Sequence, residues 1–204
     1  MSKDDDKVDD KVDETRRRFL TSSASIVGGV GMVMTAVPFV KSMEPSARTQ
    51  AAGAPVEVDL TRIEPGGMIR EEWRGKPIWV VNRTKQMLQT LKDVKPQLRD
   101  PNSDIPQQPE YAHNEYRSIK PEFLVLVGIC THLGCSPTYR PDVAPDDLGA
   151  KWEGGFFCAC HGSRFDLAGR VYRGVPAPKN LEVPPYHYAS DDKIIIGQSE
   201  KEKA

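Results

Sequence analysis

The placement of the cysteines constrains this chain more than any other feature. All four cysteines lie in two short strings, Cys-Thr-His-Leu-Gly-Cys at residues 130–135 and Cys-Ala-Cys-His-Gly-Ser at residues 158–163. The strings also hold two of the four histidines. Each string has one cysteine and one histidine that could bind a shared metal centre, and a second cysteine that could pair with its counterpart. The sequence therefore predicts one thiol- and imidazole-rich centre, built from two separate loops.

Two kinds of metal site fit this composition. A structural zinc knuckle usually has two cysteines about two to four residues apart, whereas Cys130 and His132 are separated by a single residue. Two thiolates and two imidazoles could still hold zinc in a tetrahedral site. The symmetry of the strings, one cysteine and one histidine from each, favours an iron–sulfur cluster instead.

The two strings resemble the Rieske family, in which two histidines replace two cysteines on one iron of a 2Fe–2S cluster. The resemblance implies that Cys130 and Cys158 bind one iron and that His132 and His161 bind the other. Histidine ligation raises the reduction potential above that of all-cysteine clusters. The second nitrogen of each ligand imidazole stays free to carry a proton, and the two rings titrate as a pair. The expected chemistry is therefore coupled transfer of an electron and a proton.

Further residues of the strings have roles that the resemblance implies. Cys135 and Cys160 are expected to form a disulfide, and Ser163 is expected to donate a hydrogen bond to a bridging sulfide. Leu133 would shield the cluster from water and help to dock the tip of the head, which the two strings form, on cytochrome b. Phe165 stands where many relatives have a tyrosine whose hydroxyl reaches a ligand sulfur. We therefore expect a lower reduction potential than in those relatives.

A proline-containing segment follows the second string. Residues 174–178 read Gly-Val-Pro-Ala-Pro and resemble the loop that covers the cluster in quinol-oxidising Rieske proteins. Proline restricts the backbone, so such a loop is stiff at a low cost in conformational entropy. We call residues 174–178 the proline lid.

The first forty residues predict a membrane segment. Residues 15–20, Thr-Arg-Arg-Arg-Phe-Leu, fit a twin-arginine export signal, and an uncharged stretch extends from residue 19 to residue 40. A helix needs about 20 residues to cross about 30 Å of hydrocarbon. We expect residues 1–18 to form a cytoplasmic tail and residues 19–40 a retained transmembrane anchor; cleavage at Ala-Gly-Ala, residues 52–54, is the alternative.

The charges beside this stretch predict its orientation. Arginines precede the apolar stretch and a single lysine, Lys41, directly follows it. Positive charge favours the cytoplasmic side. The sequence therefore predicts a single-pass protein of the bacterial inner membrane, with a cytoplasmic N terminus and a periplasmic head. In an oxidising compartment a disulfide persists.

The rest of the chain predicts one mainly β head. Residues 41–55 are expected to form a flexible hinge linker, residues 56–198 the 2Fe–2S domain and residues 199–204 a charged tail. The expected fold is an antiparallel Rieske-type sandwich or barrel with a cluster-binding subdomain. Strands are predicted at 56–60, 76–83, 122–129, 155–158, 170–173 and 193–197.

Other segments of the head have weaker patterns. One helix is predicted at residues 84–94, with a buried face of Met87, Leu88, Leu91 and Val94. Residues 95–121 are expected to form a long loop, and residues 141–147 a solvated surface insertion. His113 and His187, outside the strings, are predicted to be structural or surface histidines. The net charge of −1 indicates no nucleic-acid partner.

The whole chain resembles the Rieske subunits of bacterial ubiquinol–cytochrome c reductases. The resemblance implies that ubiquinol meets His161, with His132 as the second catalytic histidine, and that the electron passes to a c-type cytochrome, which contributes to proton translocation. The implied partners are cytochrome b, a c-type cytochrome, ubiquinol and the membrane, in a dimeric complex.

Three alternatives stay open at this point. A Rieske subunit of another periplasmic oxidoreductase, such as arsenite oxidase, can carry the same signal and the same cysteine pair. A soluble Rieske ferredoxin or oxygenase domain is disfavoured, because such domains generally lack the second cysteine pair and an export signal. A zinc-stabilised binding domain is the alternative outside redox chemistry.

Overall fold

The computed structural model describes residues 13–47, 49 and 53–199. The chain divides into two compact units, Met1–Thr49 and Gln50–Ala204. Residues 1–12 of the predicted tail, residues 48 and 50–52 of the predicted linker, and residues 200–204 of the predicted C-terminal tail lie outside the described residues. Ala52 of the alternative cleavage site also lies outside them.

The first unit contains helix α1, Glu14–Ser42, which is 29 residues long. Asp13 caps it by accepting hydrogen bonds from the backbone N–H groups of Thr15 and Arg16, at 3.0 and 3.2 Å. No residue of α1 is buried, although the centre of the helix is apolar. The helix is long and apolar enough to cross a membrane. It contains the predicted anchor and extends beyond it at both ends.

The second unit, as far as it is described, contains three antiparallel sheets of three strands each. The terminal sheet has the order β1 (Val56–Asp59), β9 (Lys193–Ile196), β8 (Tyr186–Ser190); the central sheet β2 (Met68–Trp73), β3 (Lys76–Asn82), β4 (Phe123–Val127); and the cluster-side sheet β5 (Thr138–Arg140), β6 (Gly155–Cys158), β7 (Ser163–Phe165). None of these sheets closes into a barrel within the described residues. The predicted mainly β, antiparallel fold is confirmed, in its open form.

The core lies where the central sheet meets the cluster-side sheet. Residues Ile78, Trp79, Val80 and Val81 of β3 are fully buried, because this central strand pairs on both edges with β2 and β4. The ring of Trp79 stacks on that of Phe156 in β6, with the centroids 5.1 Å apart. The central sheet therefore supports the strands that hold the second cysteine string.

The predicted helix is confirmed as α2, Lys85–Asp93. Thr84 caps it, accepting a hydrogen bond from the backbone N–H of Met87 at 3.3 Å. Its apolar face packs as the spacing predicts, with Leu91 and Val94 buried. Leu91 of this helix packs in one buried cluster with Leu167, which follows the second string in the sequence.

The strand prediction was incomplete. Strands β2, β5, β7 and β8 were not predicted: β5 and β7 have three residues each, and β2 carries three charged residues on an edge. The predicted strand at residues 170–173 was wrong, since that segment forms only isolated bridges through Val171 and Tyr172. Short strands held by tertiary contacts leave little periodicity in the sequence.

The predicted loop at residues 95–121 contains two short 3-10 helices, Lys95–Gln97 and Glu110–Ala112. The insertion is also ordered. Arg140 pairs with Asp142 and Asp147 at its two ends, and the backbone N–H of Ala144 donates to the carbonyl of Trp152 at 2.7 Å.

Candidate metal centre

The two cysteine strings form two similar turns. The first string follows β4, and the second connects β6 to β7. In each turn, the carbonyl of the first cysteine accepts a hydrogen bond from a glycine four residues later, Gly134 for Cys130 at 3.0 Å and Gly162 for Cys158 at 2.9 Å. Both glycines have positive φ angles, +85° and +77°, which side-chain-bearing residues adopt at a cost. The glycines are therefore needed to close the two turns.

These turns bring the four expected ligands together. Cys130 and Cys158 are buried, with 2% of each exposed, and neither is in a disulfide. Their thiols are close enough to hydrogen-bond to each other. The rings of His132 and His161 meet edge to face, with the centroids 4.7 Å apart. The structure thus pairs the two free thiols with each other and the two imidazoles with each other, one of each from either string.

The two imidazoles differ in their access to solvent. His161 is exposed, whereas His132 is half-buried. Leu133, between the first histidine and Gly134, has 72% of its surface exposed. The tip therefore presents one accessible imidazole beside one accessible apolar side chain.

The surroundings of the Cys158 thiol have opposing effects on its pKa. Burial raises the pKa of Cys158, and the neighbouring Cys130 thiol acts in the same direction. The backbone N–H groups of Cys160 and His161 lie close enough to donate to its sulfur, and they lower the pKa. Amide donors also stabilise a ligand sulfur in the reduced cluster, which raises the reduction potential.

A disulfide joins the strings through their other cysteines, Cys135 and Cys160. This is the pairing that the family resemblance implies. The sulfur of Cys158 lies within 4.8 Å of both disulfide sulfurs, so the covalent link is directly beside a candidate ligand. Because Cys135 and Cys160 are bonded to each other, Cys130 and Cys158 are left as thiolate donors. Two thiolates and two imidazoles fit a 2Fe–2S cluster of mixed ligation.

The proline lid and the residue directly after it are hydrogen-bonded to the two strings. The backbone N–H of Ala177 donates to Ser163 Oγ at 3.1 Å. Thr131 Oγ1, in the first string, donates to the carbonyl of Lys179 at 2.6 Å, just past the lid. Ser163 is fully buried, and since its oxygen already accepts one bond, its own proton is available to another acceptor. Residues 177 and 179 therefore link the two strings to each other, in addition to the disulfide.

Three other residues singled out in the sequence are Phe165, His113 and His187. Phe165 is fully buried and belongs to the main core. His113 is exposed. His187 is buried, and its Nδ1 lies 3.1 Å from the carbonyl oxygen of Gln198. The last two therefore have structural or surface positions, apart from the centre.

Sequence reasoning missed a buried charged group beside the second string. We call Arg83, Arg117, Arg170 and Asp166 the arginine clamp; each is at most 2% exposed. Arg170 pairs with Asp166 at 2.7 Å. Burial lowers the pKa of Arg83 and of Arg117 to about 10, so both stay protonated at neutral pH. The clamp thus contains three cations and one carboxylate, and a second buried carboxylate, Asp100, acts on Arg117.

The clamp is satisfied mainly by backbone oxygens. Arg83 donates to the carbonyl of Leu167 at 2.9 Å, and Arg117 to that of Ala168 at 3.0 Å. Further acceptors are the carbonyl oxygens of Leu91, Pro101, Tyr116, Pro121 and Leu181. The clamp therefore holds residues 166–170, which directly follow the second string, against α2 and the long loop. In the sequence these arginines look like ordinary solvated charges.

The fold and the centre together define a Rieske 2Fe–2S protein. Residues 107–186 match the family model described as Rieske [2Fe-2S] domain. Residues 7–46 match a second model, described as Ubiquitinol-cytochrome C reductase Fe-S subunit TAT signal. The zinc alternative is thereby set aside, and the cofactor is a 2Fe–2S cluster.

Comparison with named proteins shows which kind of Rieske protein this chain resembles. The ubiquinol-cytochrome c reductase iron-sulfur subunit of Allochromatium vinosum is 59% identical over 187 residues, covering 92% of this chain and 90% of that protein. The subunit of the same name from Bradyrhizobium diazoefficiens is 44% identical over 187 residues, covering 90% and 94%. The chain belongs to the family of ubiquinol–cytochrome c reductase iron–sulfur subunits. With α1, this membership indicates a membrane-anchored protein.

A solved structure titled Hyperthermophilic respiratory Complex III is also similar. It is 25% identical, covers 85% of this chain and 98% of its own, and has a TM-score of 0.49.

Proposed function

We propose that Cys130, His132, Cys158 and His161 hold the cluster, and that the head takes one electron and one proton from ubiquinol and passes the electron to a c-type cytochrome. One observation carries this proposal: an exposed imidazole, His161, lies in edge contact with His132, and the free thiols of the same two strings are buried. Buried thiols bind a cluster away from water, while an exposed ligand imidazole meets a substrate. Family membership supports the same reaction.

Each residue of the tip has a separate task. The bound cluster supplies a one-electron acceptor of high potential. The ring nitrogen of His161 that faces solvent accepts a hydrogen bond from the quinol hydroxyl and then holds its proton. His132, being half-buried, completes the ligand set and shares the titration of the pair. Leu133 excludes water from the contact, because its exposed apolar side chain directly follows His132 in the chain.

The partners follow from the family and from the ends of α1. We infer a complex with cytochrome b and a c-type cytochrome, assembled as a dimer in the bacterial inner membrane. Arg16, Arg17 and Arg18 precede the apolar centre of α1 and Lys41 follows it, which supports a cytoplasmic N terminus and a periplasmic head. Residues 41–55 are the proposed hinge that lets the head move between donor and acceptor.

Purification of the intact complex tests the proposal. Membranes are solubilised in a mild detergent, and the protein is purified through a tag at its C terminus. We expect b-type and c-type haems to co-purify in fixed ratio, and added ubiquinol to reduce both the cluster and the c-type haem. Co-purification with a molybdenum-containing subunit, and without b-type haem, would overturn the proposal in favour of an arsenite-oxidase type of complex.

A further inference from the structure

A basic groove of about 550 Å³ opens beside the second cysteine string. It is lined by Gly162 and Arg164, on either side of Ser163, by Lys151 and Trp152 from the loop between β5 and β6, and by residues 172–175, the last two of which begin the proline lid. None of the four proposed cluster ligands lines it. The groove is therefore a separate surface feature that begins one residue after His161.

The floor of the groove is aromatic. The rings of Trp152 and Tyr172 stack, with the centroids 6.1 Å apart, and both residues are buried. Among the described residues, Tyr172 Oη has no hydrogen-bond partner, although 93% of the residue is removed from solvent. Burial raises the pKa of Tyr172, so its hydroxyl keeps its proton. A buried, unpaired hydroxyl of this kind is a donor in search of an acceptor.

The rim of the groove is cationic. Lys151 and Arg173 are exposed and Arg164 is half-buried, and none of the three has an ion-pair partner among the residues that the structure describes. Arg173 is oriented by its Nε, which donates to the carbonyl of Leu98 at 2.8 Å. Glu153 is the neighbouring carboxylate that acts on Tyr172 without being paired to an arginine. Three cations therefore line the groove with one carboxylate nearby, so the groove carries an excess of positive charge.

This composition suits a protein segment better than a free anion. Aromatic residues and arginine are enriched in protein interfaces, where rim charges select the partner and orient it. A small free anion is usually held by several buried donors, whereas the groove offers one buried hydroxyl and three long side chains spread along an open rim. The occupant that matches is an acidic loop, with carboxylates at the rim and one acceptor over Tyr172.

We infer that the basic groove docks an acidic segment of the c-type cytochrome subunit and so holds the head in the position from which the electron leaves. The inference rests on the proposed function, which supplies the c-type cytochrome as electron acceptor. The groove adjoins the second cysteine string, so an occupant would lie beside the exposed His161. The loop between β5 and β6, which supplies Lys151 and Trp152, then forms part of an interface with the electron acceptor.

Charge reversal in the intact complex tests the inference. Lys151→Glu changes an exposed side chain, so folding and cluster content are expected to be unchanged. The rate of c-haem reduction by the cluster, measured after a single turnover, is expected to fall about tenfold at low ionic strength and to depend less on salt. The rate of cluster reduction by ubiquinol is expected to stay the same. Arg62→Glu is the matched control, since Arg62 is exposed and outside the groove.

A second variant isolates the floor. Tyr172→Phe removes only the unpaired hydroxyl and is expected to slow c-haem reduction about two- to tenfold, the range for loss of one hydrogen bond. Unchanged c-haem reduction in Lys151→Glu and Tyr172→Phe, in a complex that holds both haems, would overturn the groove assignment alone. Slowing of the quinol step instead would also overturn it, since the groove would then face cytochrome b. A complex without c-type haem would overturn the proposed function and this inference together.

Discussion

The cysteine strings and the arginine clamp are neighbours in the chain but differ in almost every physical respect. The strings are partly exposed turns, closed by glycines, one disulfide, one hydrogen bond to the proline lid and one to Lys179 just after it. The clamp is fully buried and holds backbone carbonyls through charged side chains. Asp166 of the clamp follows Phe165 directly, at the end of β7. The chemistry of the head is thus carried by one region and its rigidity by the next.

This difference explains how the metal centre can keep its geometry although it is built from turns. Turns at a molecular tip have few apolar contacts, so they open locally at a low free-energy cost. Here the segment that leaves the second string enters a buried network in which every arginine bridges distant parts of the chain. Removing one member of such a network leaves buried charges and carbonyls unpaired, which costs more than removing a surface pair. The following variants test this contrast, beginning with the largest expected effect.

Asp166→Ala is expected to cause the largest loss of stability. It leaves the buried Arg170 without its ion-pair partner, and loss of one partner of a buried ion pair costs about 3–5 kcal/mol. Chemical unfolding of the detergent-solubilised chain measures the change. Asp147→Ala is the control, because Asp147 pairs with Arg140 on the surface, and it is expected to change stability very little. Equal small effects of the two variants would contradict the contrast.

Replacing both disulfide cysteines is expected to have the next largest effect. The disulfide spans 25 residues, and the loss of such a bond costs about 2–4 kcal/mol. Cys135→Ser with Cys160→Ser should also release the cluster faster, since the strings are then joined only through the lid and the core. Unfolding and the decay of the cluster's visible absorbance measure both effects. Retention of a stable cluster would show that the disulfide is dispensable to the tip.

Phe165→Tyr is expected to raise the reduction potential without a large change in stability. A hydroxyl that reaches a ligand sulfur adds one hydrogen bond, worth about 0.5–1.5 kcal/mol, which corresponds to about 20–60 mV for one electron. Redox titration of the cluster measures the shift. Phe157→Tyr, on the neighbouring strand β6, is the control and should leave the potential unchanged. A potential that does not rise in Phe165→Tyr would show that the absent hydroxyl is not what sets it.

Leu133→Ala is expected to have the smallest effect on stability, because 72% of the leucine is exposed. Surface substitutions of this kind usually change stability by less than about 0.5 kcal/mol. Reduction of the cluster by ubiquinol should nevertheless slow, about fivefold if the side chain contributes about 1 kcal/mol to docking. An unchanged quinol rate would remove Leu133 from the docking surface.

The same two regions mark how far the sequence alone leads. The strings reveal the centre, because metal ligation requires particular residue types at short spacing, and buried strands such as β3 and β4 appear as apolar runs. The clamp has no such signature. Arg117 lies in a polar segment whose composition predicts a loop, and Arg170 lies in a segment whose pattern predicts a strand. Their partners are carbonyl oxygens, which every residue possesses, so only the three-dimensional structure identifies them.

Paramagnetic resonance of the reduced protein tests whether His132 and His161 bind the cluster. The full chain is produced with ¹⁵N-labelled histidine, reduced, and examined by electron–nuclear double resonance. We expect the spectrum of a 2Fe–2S cluster with hyperfine couplings from two histidine nitrogens, assigned to His132 and His161. A 2Fe–2S spectrum without nitrogen coupling, or a paramagnetically silent protein that contains zinc, would contradict the account.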